Sequence, residues 1–331
     1  MTIELVTAPD SRGVAALRKW SHNPSGFLAL NQGNKQFQVP DIDGAIFYRE
    51  VGRYLIQLGG PFTESTAKPA LLQAFVGFAE SHKKHLAAMQ LLPDDALVYA
   101  AGGYHVNQFG SSYAVDLDGY TLGGKKFVKL RNKISRAIRA GLEIREVQHF
   151  EVRAYIDEID RRWLRLKGRF AREMEFMVGE VGGEVQDLRR LFVGTIGREV
   201  VGYVSYSPVY GAQSGWLHDL SRRVEVAPPG TMEAINWHAV KQFSEEGCGF
   251  LHFGMTPFTE MSADIVDTRN RTLAFLLDKL YDHGSWIYPA ETQLQYKLKW
   301  NPELIIPDYL AYRGRLTPGK ISGLLRAINM I

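Results

Sequence analysis

Cysteine is nearly absent: Cys248 is the only one in 331 residues. No disulfide can form within the chain and no thiolate zinc site can be assembled, so no metal is expected and a reducing cytoplasm fits. Cys248 itself, in "EEGCGF" between a helix end and a strand, reads as packing. No uninterrupted apolar run approaches about 18 residues, so no membrane span is expected. The start, "MTIELVTAPDSRG", lacks the basic-then-apolar pattern of a signal peptide. An excess of one charge is also missing, since 39 Lys and Arg face 36 Asp and Glu. Bulk charge therefore selects no partner, and local clustering must decide. A P-loop Gly-x-x-x-x-Gly-Lys-Ser/Thr stretch is absent too, so no ATP motif is present.

Apolar residues make up 45% of the chain, enough for a sizeable core, and the length suggests about two domains. Strand-like and helix-like segments alternate, which predicts a mixed α/β fold. "GAIFYREVGRYLIQLGG" reads as two strands turning at Val51-Gly52, 68–85 as a helix, and "LAAMQLL" and "SSYAVDL" as strands. A helix is predicted over 125–140, stopped by Gly141, and another over 152–167. "RLFVGTIGREVVGYVSYSPVYG" reads as a hairpin turning at Gly197-Arg198. A helix over 231–246, the strand "GFLHFGM", a helix over 268–283, the strand "QLQYKLKW" and a closing helix over 318–331 follow. Each half thus has strands, a central helix and a further strand. The expected division is 1–145, ending in the helix at 125–140, and 146–331.

From Gly123 to Gly141 there are seven basic residues and no acid: Lys125, Lys126, Lys129, Arg131, Lys133, Arg136 and Arg139. Phe127, Leu130, Ile134 and Ile138 form its apolar stripe, while Lys129, Lys133 and Arg136 share another face. A one-signed row repels itself without an anionic partner. It reads either as a solvated face or as a track for phosphates of a folded RNA or an anionic membrane. Interleaved aromatics are few, so base stacking is not indicated.

The stretch "GWLHDLSRRVEVAPPGTMEA" joins a strand to a helix start. Gly230-Thr231 offers unpaired N–H groups to an anion, with Thr231 as N-cap and Glu233 complementing the helix dipole. Regular alternation would place His218 with Trp216 and Leu220, and Asp219 with Leu217 and Ser221, so the two do not form a dyad unless a bulge intervenes. Further on, Lys297 and Lys299 would share one face of a strand. They read as a guarded edge or as ligands for an anion.

Four stretches carry a resemblance: "VDLDGYTLGGKKFVKLRNKISRAIRAGLEI", "LHDLSRRVEVAPPGTMEAIN", "GFLHFGMTPF" and "YKLKWNPELIIPDYLAY". Together they resemble the C-terminal catalytic domain of phosphatidylglycerol lysyl- and alanyltransferases, the multiple peptide resistance factors. The resemblance covers most of the chain and is strongest from Val115 onward. It implies tandem GNAT-like domains, each a mixed sheet flanked by helices. It also implies transfer of an amino acid from aminoacyl-tRNA to an acceptor hydroxyl or amine, on a phosphatidylglycerol-type lipid or a small molecule. The implied catalytic residues are Asp219, Arg222, Lys297 and Lys299. His218, Arg223, Gly230, Thr231 and Glu233 line the substrate site, and the seven basic residues of 123–141 face tRNA. Asp219 would hold the substrate ammonium; Arg222, Lys297 or Lys299 would serve phosphate and oxyanion. The general base is left open between His218, a tyrosine and the acceptor amine. Aminoacyl-tRNA is an activated ester, so no cofactor is needed. Departures fall at "LNQGNKQF", at "GGPF" and at Gly110-Ser111, where the family carries acids.

Two other readings compete: a CoA-dependent N-acyltransferase, disfavoured because "VEVAPPGTM" lacks a Gly-x-Gly cradle, and a non-catalytic RNA- or membrane-binding protein. The expected location is the cytoplasm, with peripheral contact at the inner membrane face. The closing segment, with Ile321, Leu324, Leu325 and Ile328 in a stripe beside Lys320 and Arg326, either docks on its own domain or lies on anionic membrane. The expected outcome of liposome flotation is that deletion of 316–331 leaves binding to phosphatidylglycerol vesicles unchanged. A loss of binding would assign the helix to the membrane.

Overall fold

Parallel strands cannot be joined by a tight turn and need a crossover, generally a helix. The chain makes such a unit twice. The computed structural model describes residues 4–6, 10–167, 176–261, 290–315 and 317. Along the first half run β1 (Glu4–Val6), α1 (Ser11–Trp20), β2 (Lys35–Gln38), β3 (Gly44–Val51), β4 (Tyr54–Leu58), β5 (Phe62–Thr63), α2 (Lys68–Ser81), β6 (His85–Leu91), α3 (Pro93–Ala101) and β7 (Tyr104–Asp116). Then come α4 (Val128–Arg139), β8 (Leu142–Val147), α5 (His149–Lys167), β9 (Arg190–Ile196), β10 (Glu199–Val209) and β11 (Gly215–Arg223). The chain continues through α6 (Thr231–Glu245), β12 (Phe250–Pro257), α7 (Ala290–Leu298) and β13 (Leu304–Arg313).

One sheet holds both halves, in the order β1-β2-β3-β4-β6-β13-β7-β12-β11-β10-β9-β8, with β5 on β3. The parallel pairs β4/β6 and β11/β12 are bridged by α2 and α6. The last strand of each half is exchanged: β13 pairs β6 of the first half, and β7 pairs β12 of the second. The two exchanged strands pair with each other from Leu304↔Ala114 to Arg313↔Tyr104. Covered by neighbours on both edges, β7 and the C-terminal part of β13 are almost wholly buried, and β7 carries Asn107, Gln108, Ser111 and Ser112 into that interior.

Helices close both faces. Phe75 and Phe78 of α2 pack on Phe37 and Tyr48, with Tyr99 of α3 in the same core. On the opposite face, Ala16 and Leu17 of α1 and the 3-10 turn Gly26–Leu30 pack on Phe47, Ile56 and Leu58. In the second half α6 brings Ile235, Ala239 and Phe243 onto Phe192, Tyr206 and Leu251, and Trp300 is fully buried beside Phe253. α5 buries Val152, Ile156 and Ile159.

The expected α/β class holds, and most predicted elements stand within a few residues. The stretch read as the strand "QLQYKLKW" is instead mostly α7. Its inward residues, Leu294, Lys297 and Trp300, recur every third position, the helical period, which the polar–apolar alternation masked. α1, α3 and β13 were not foreseen, and the helices predicted over 268–283 and 318–331 lie outside the described residues.

The N-cap of α6 is Gly230 rather than Thr231, whose hydroxyl turns back to the Pro228 carbonyl at 2.7 Å. Gly230 has φ +95°, and a Cβ there would lie 2.1 Å from the Lys133 carbonyl oxygen of α4. α4 therefore rests directly on the entry to α6. Gly230→Ala is expected to force the helices apart and cost about 2–4 kcal/mol in urea unfolding, combining a left-handed backbone with a backbone clash.

Candidate active site

β11 and β12 pair with each other only from Gly215↔Phe250 to Leu217↔His252; beyond that β11 runs on to Arg223 along β10 alone and β12 to Pro257 along β7 alone. At the same level β12 shifts register on β7 between His252 and Met255. The backbone groups released there need partners. Lys297 of α7 supplies them, donating to the carbonyls of Gly254 and Met255 at 2.8 and 2.9 Å.

Around this parting His218 is enclosed by the rings of Tyr206, Phe253 and Tyr296, and its Nδ1 meets Asn236 Oδ1 at 2.9 Å. Burial pushes its pKa down to about 4, so the ring is neutral at physiological pH. Lys297 is equally buried, and burial pushes its ammonium down to about 7 against the pull of Asp308. Burial likewise raises Asp308 to about 7, although Ser112 Oγ donates to it at 2.6 Å and Lys297 is near. A neutral Lys297 has two N–H bonds, both directed at the two carbonyls, which leaves its lone pair free.

Asp219 occupies a bulge. Leu220 pairs with Ser205 and His218 with Tyr206, so Asp219 is the extra residue of β11. The bulge corrects the regular alternation expected from the sequence. Leu220 leaves the face of His218 and joins Leu217, Asp219 and Arg222 on the opposite one. The Asp219 side chain has no solvent exposure. Ser207 Oγ donates to its Oδ2, Arg189 Nε stands 3.9 Å from the same oxygen, and Oδ1 has no hydrogen-bond partner. Burial lifts the carboxyl to about 6, more than Arg189 and the hydroxyls of Ser207 and Ser205 pull it down. Arg189 also donates to Asn31 Oδ1 at 2.8 Å, which ties this cluster to the first half.

The other predicted residues separate. Arg222 stacks on Trp163 and pairs with Asp160 of α5 at 3.0 Å. Arg223 reaches the carbonyls of Val224, Glu225 and Ala227 and holds that loop. Glu233 accepts from Lys133 at 3.2 Å and from Lys299 at 3.1 Å. Burial pulls its carboxyl up, but Lys299 and Lys133 outweigh it and hold it below the usual range. Lys297 and Lys299 thus do not share a face: one enters the parting and the other braces α6. On α4, Arg131 bonds the carbonyls of Leu122 and Gly124, while Lys125, Lys126, Lys129, Arg136 and Arg139 are exposed. The stripe of Phe127, Leu130 and half-buried Ile134 faces inward, but Ile138 is half exposed.

Sequence reasoning missed Arg189, Ser207, Asn31, Asn236 and Asp308. Asp308 lay inside the quoted "IIPDYLAY" and Asn236 at the end of "LHDLSRRVEVAPPGTMEAIN"; Arg189, Ser207 and Asn31 carry no local signal, because only the fold brings them to Asp219. Among the described residues no cluster of His, Cys, Asp and Glu could hold a metal ion, and no helix is long and apolar enough to cross a membrane.

A family model described as phosphatidylglycerol lysyltransferase, C-terminal, matches residues 15–312. The phosphatidylglycerol lysyltransferase of Bacillus subtilis is 27% identical over 302 residues, 87% of this chain and 33% of that protein. The chain thus spans about a third of the length of the curated relatives it matches. Two solved structures share the fold. L-PGS from Bacillus licheniformis has a TM-score of 0.79 at 24% identity over 99% of both chains. The C-terminal domain of a lysylphosphatidylglycerol synthetase from Agrobacterium fabrum has 0.75 at 21% identity, covering 96% of this chain and 94% of that one.

Asp219 makes stability pH-dependent in a stated direction. Its folded pKa, about 6, lies above the ordinary 3.8. The proton-linked stabilisation is therefore full below the ordinary value and lost as pH rises through the folded one. Relative to Asp219→Asn, the wild type should lose about 2 kcal/mol between pH 4 and pH 8, at 1.36 kcal/mol per unit. Urea unfolding of both proteins at both pH values measures this, and a constant difference would show that Asp219 titrates normally.

Proposed function

The chain belongs to the phosphatidylglycerol lysyltransferase C-terminal family, and from that premise we propose that it transfers an aminoacyl group from aminoacyl-tRNA to a hydroxyl of a phosphatidylglycerol-type lipid. The observation that carries this reading is the parting of β11 and β12, with a buried carboxylate on one face and a buried lysine near neutrality on the other.

Asp219 holds the α-ammonium of the donor: its Oδ1 is an unused acceptor in a dry site, where a cation is bound strongly. The donor ester then lies in the parting. The acceptor hydroxyl attacks the ester carbonyl while its proton passes to the free lone pair of Lys297. The new ester C–O bond forms, the bond to the tRNA ribose oxygen breaks, and that oxygen takes the proton back from Lys297. One ester replaces another, so no ATP and no further cofactor is required. His218 is a neutral packing group beside the lysine rather than the base. Exposed Lys125, Lys126, Lys129, Arg136 and Arg139 neutralise tRNA phosphates, and Glu233 holds Lys133 and Lys299 at the end of that track.

The test is incubation with radiolabelled aminoacyl-tRNAs and phosphatidylglycerol vesicles, followed by extraction. Label is expected in the organic phase; label in a water-soluble product would move the acceptor to a small molecule, and label that never leaves tRNA would sink the reading. Asp219→Ala should lower transfer by about 100-fold or more, the scale of a lost positioning contact, with tRNA affinity unchanged. Joint charge reversal of Lys129 and Arg136 should weaken tRNA binding and reduce its logarithmic salt slope by about 2.

A further inference from the structure

The Asp219 carboxylate is closed off by one layer of irregular chain, residues 176–183. Gly179 lies directly on it: a Cβ there would stand 2.3–2.6 Å from all three carboxyl heavy atoms. The Gly179 amide also donates to the Asp219 carbonyl at 3.3 Å. Polar bonds hold this layer: Asn31 Nδ2 to the Val178 carbonyl at 2.9 Å and the Gln32 amide to Glu180 at 3.0 Å from the first half, and Arg189 against Glu180 at 3.6 Å from the second. Phe176 anchors one end, fully buried with the Arg49 guanidinium over its ring. The other end is Gly182-Gly183, both at positive φ, backbone states that glycine leaves and enters at little cost.

A buried carboxylate with an unpaired oxygen is unfavourable unless something completes it. In the covered state the layer presents only the bare Cα of Gly179 to that carboxylate. We propose that residues 176–183 are a removable strap, and that the ammonium of the amino-acid donor reaches Asp219 by displacing Gly179. This rests on the assignment of Asp219 as the ammonium site. Phe176 and the glycine pair are the fixed ends, and the bonds from Asn31 and Gln32 and the Arg189–Glu180 contact are broken on opening. The absence of a side chain at 179 lets the strap exclude water from the carboxylate when no donor is bound. The ammonium completes the orphaned oxygen, so donor binding itself favours the open state.

Hydrogen–deuterium exchange of the full chain tests this with alaninamide as probe, which carries an α-ammonium and no phosphate, and N-acetylalaninamide as the uncharged control. Alaninamide should speed exchange across 177–183 by about tenfold or more, the signature of local opening, in the wild type but not in Asp219→Asn. The acetylated control should have no effect. Gly179→Ala should speed the same amides without probe while β10 and β11 stay protected. As a second variant, Asn31→Cys with Val178→Cys in a Cys248→Ser background should lose aminoacyl transfer when oxidised and regain it on reduction. Strap amides that respond neither to alaninamide nor to Gly179→Ala, or an oxidised variant as active as the reduced one, would overturn the strap. A wild type that opens with alaninamide but transfers nothing would leave the strap standing and remove the transferase reading instead.

Discussion

The ladder between β7 and β13 is the interaction on which the rest of the structure depends. Each half gives its last strand to the other, so the halves cannot part without breaking backbone hydrogen bonds from Leu304 to Arg313 and the β6 and β12 ladders beside them. β7 and the C-terminal part of β13 are almost wholly buried, where an unpaired peptide group is costly. The exchange also fixes the geometry of the site. β12 is held by β7 on one edge, so it cannot follow β11 past Leu217, and the parting is a consequence of that constraint.

Burial then decides the electrostatics. For Asp219, His218, Lys297 and Asp308 alike, desolvation is the largest influence and acts against the charged form. Arg189 and the serine hydroxyls oppose it at Asp219, the Asn236 hydrogen bond at His218, and Lys297 and Asp308 at each other, without winning. The result is a carboxylate, an imidazole and an amine that sit near or below their point of charging, in a chain whose exposed surface is strongly ionic.

The basic helix is joined to this arrangement by close approach rather than by charge alone. Gly230 admits the α4 backbone, and Glu233 in the first turn of α6 then reaches both Lys133 of α4 and Lys299 beyond α7. One carboxylate thus holds three helical segments in register. The same contact covers the N-terminus of α6, which removes the open anion cradle that Gly230-Thr231 suggests in sequence.

What the sequence determined by itself is local. Turn residues and 3.6-residue spacing placed α2, α4, α5 and α6 and the hairpins at Gly52 and Gly197, and the one-signed row of α4 was plain because charge is a property of composition. Asp219 and Lys297 were named through the resemblance that short motifs carry, not through periodicity or charge. Only the tertiary structure decided the rest. The exchange of β7 and β13 leaves no trace in either strand, because a strand buried on both edges looks the same whichever neighbour it has. The bulge at Asp219 arises from register with Ser205 and Tyr206, and it put Leu220 and Arg222 on the face of Asp219. Lys297 and Lys299 parted because their segment is helical, with its inward period set by packing on Phe253 and Trp300. Arg189, Ser207 and Asn31 meet Asp219 from distant parts of the chain, through pairings whose energies are set by burial rather than by sequence neighbours.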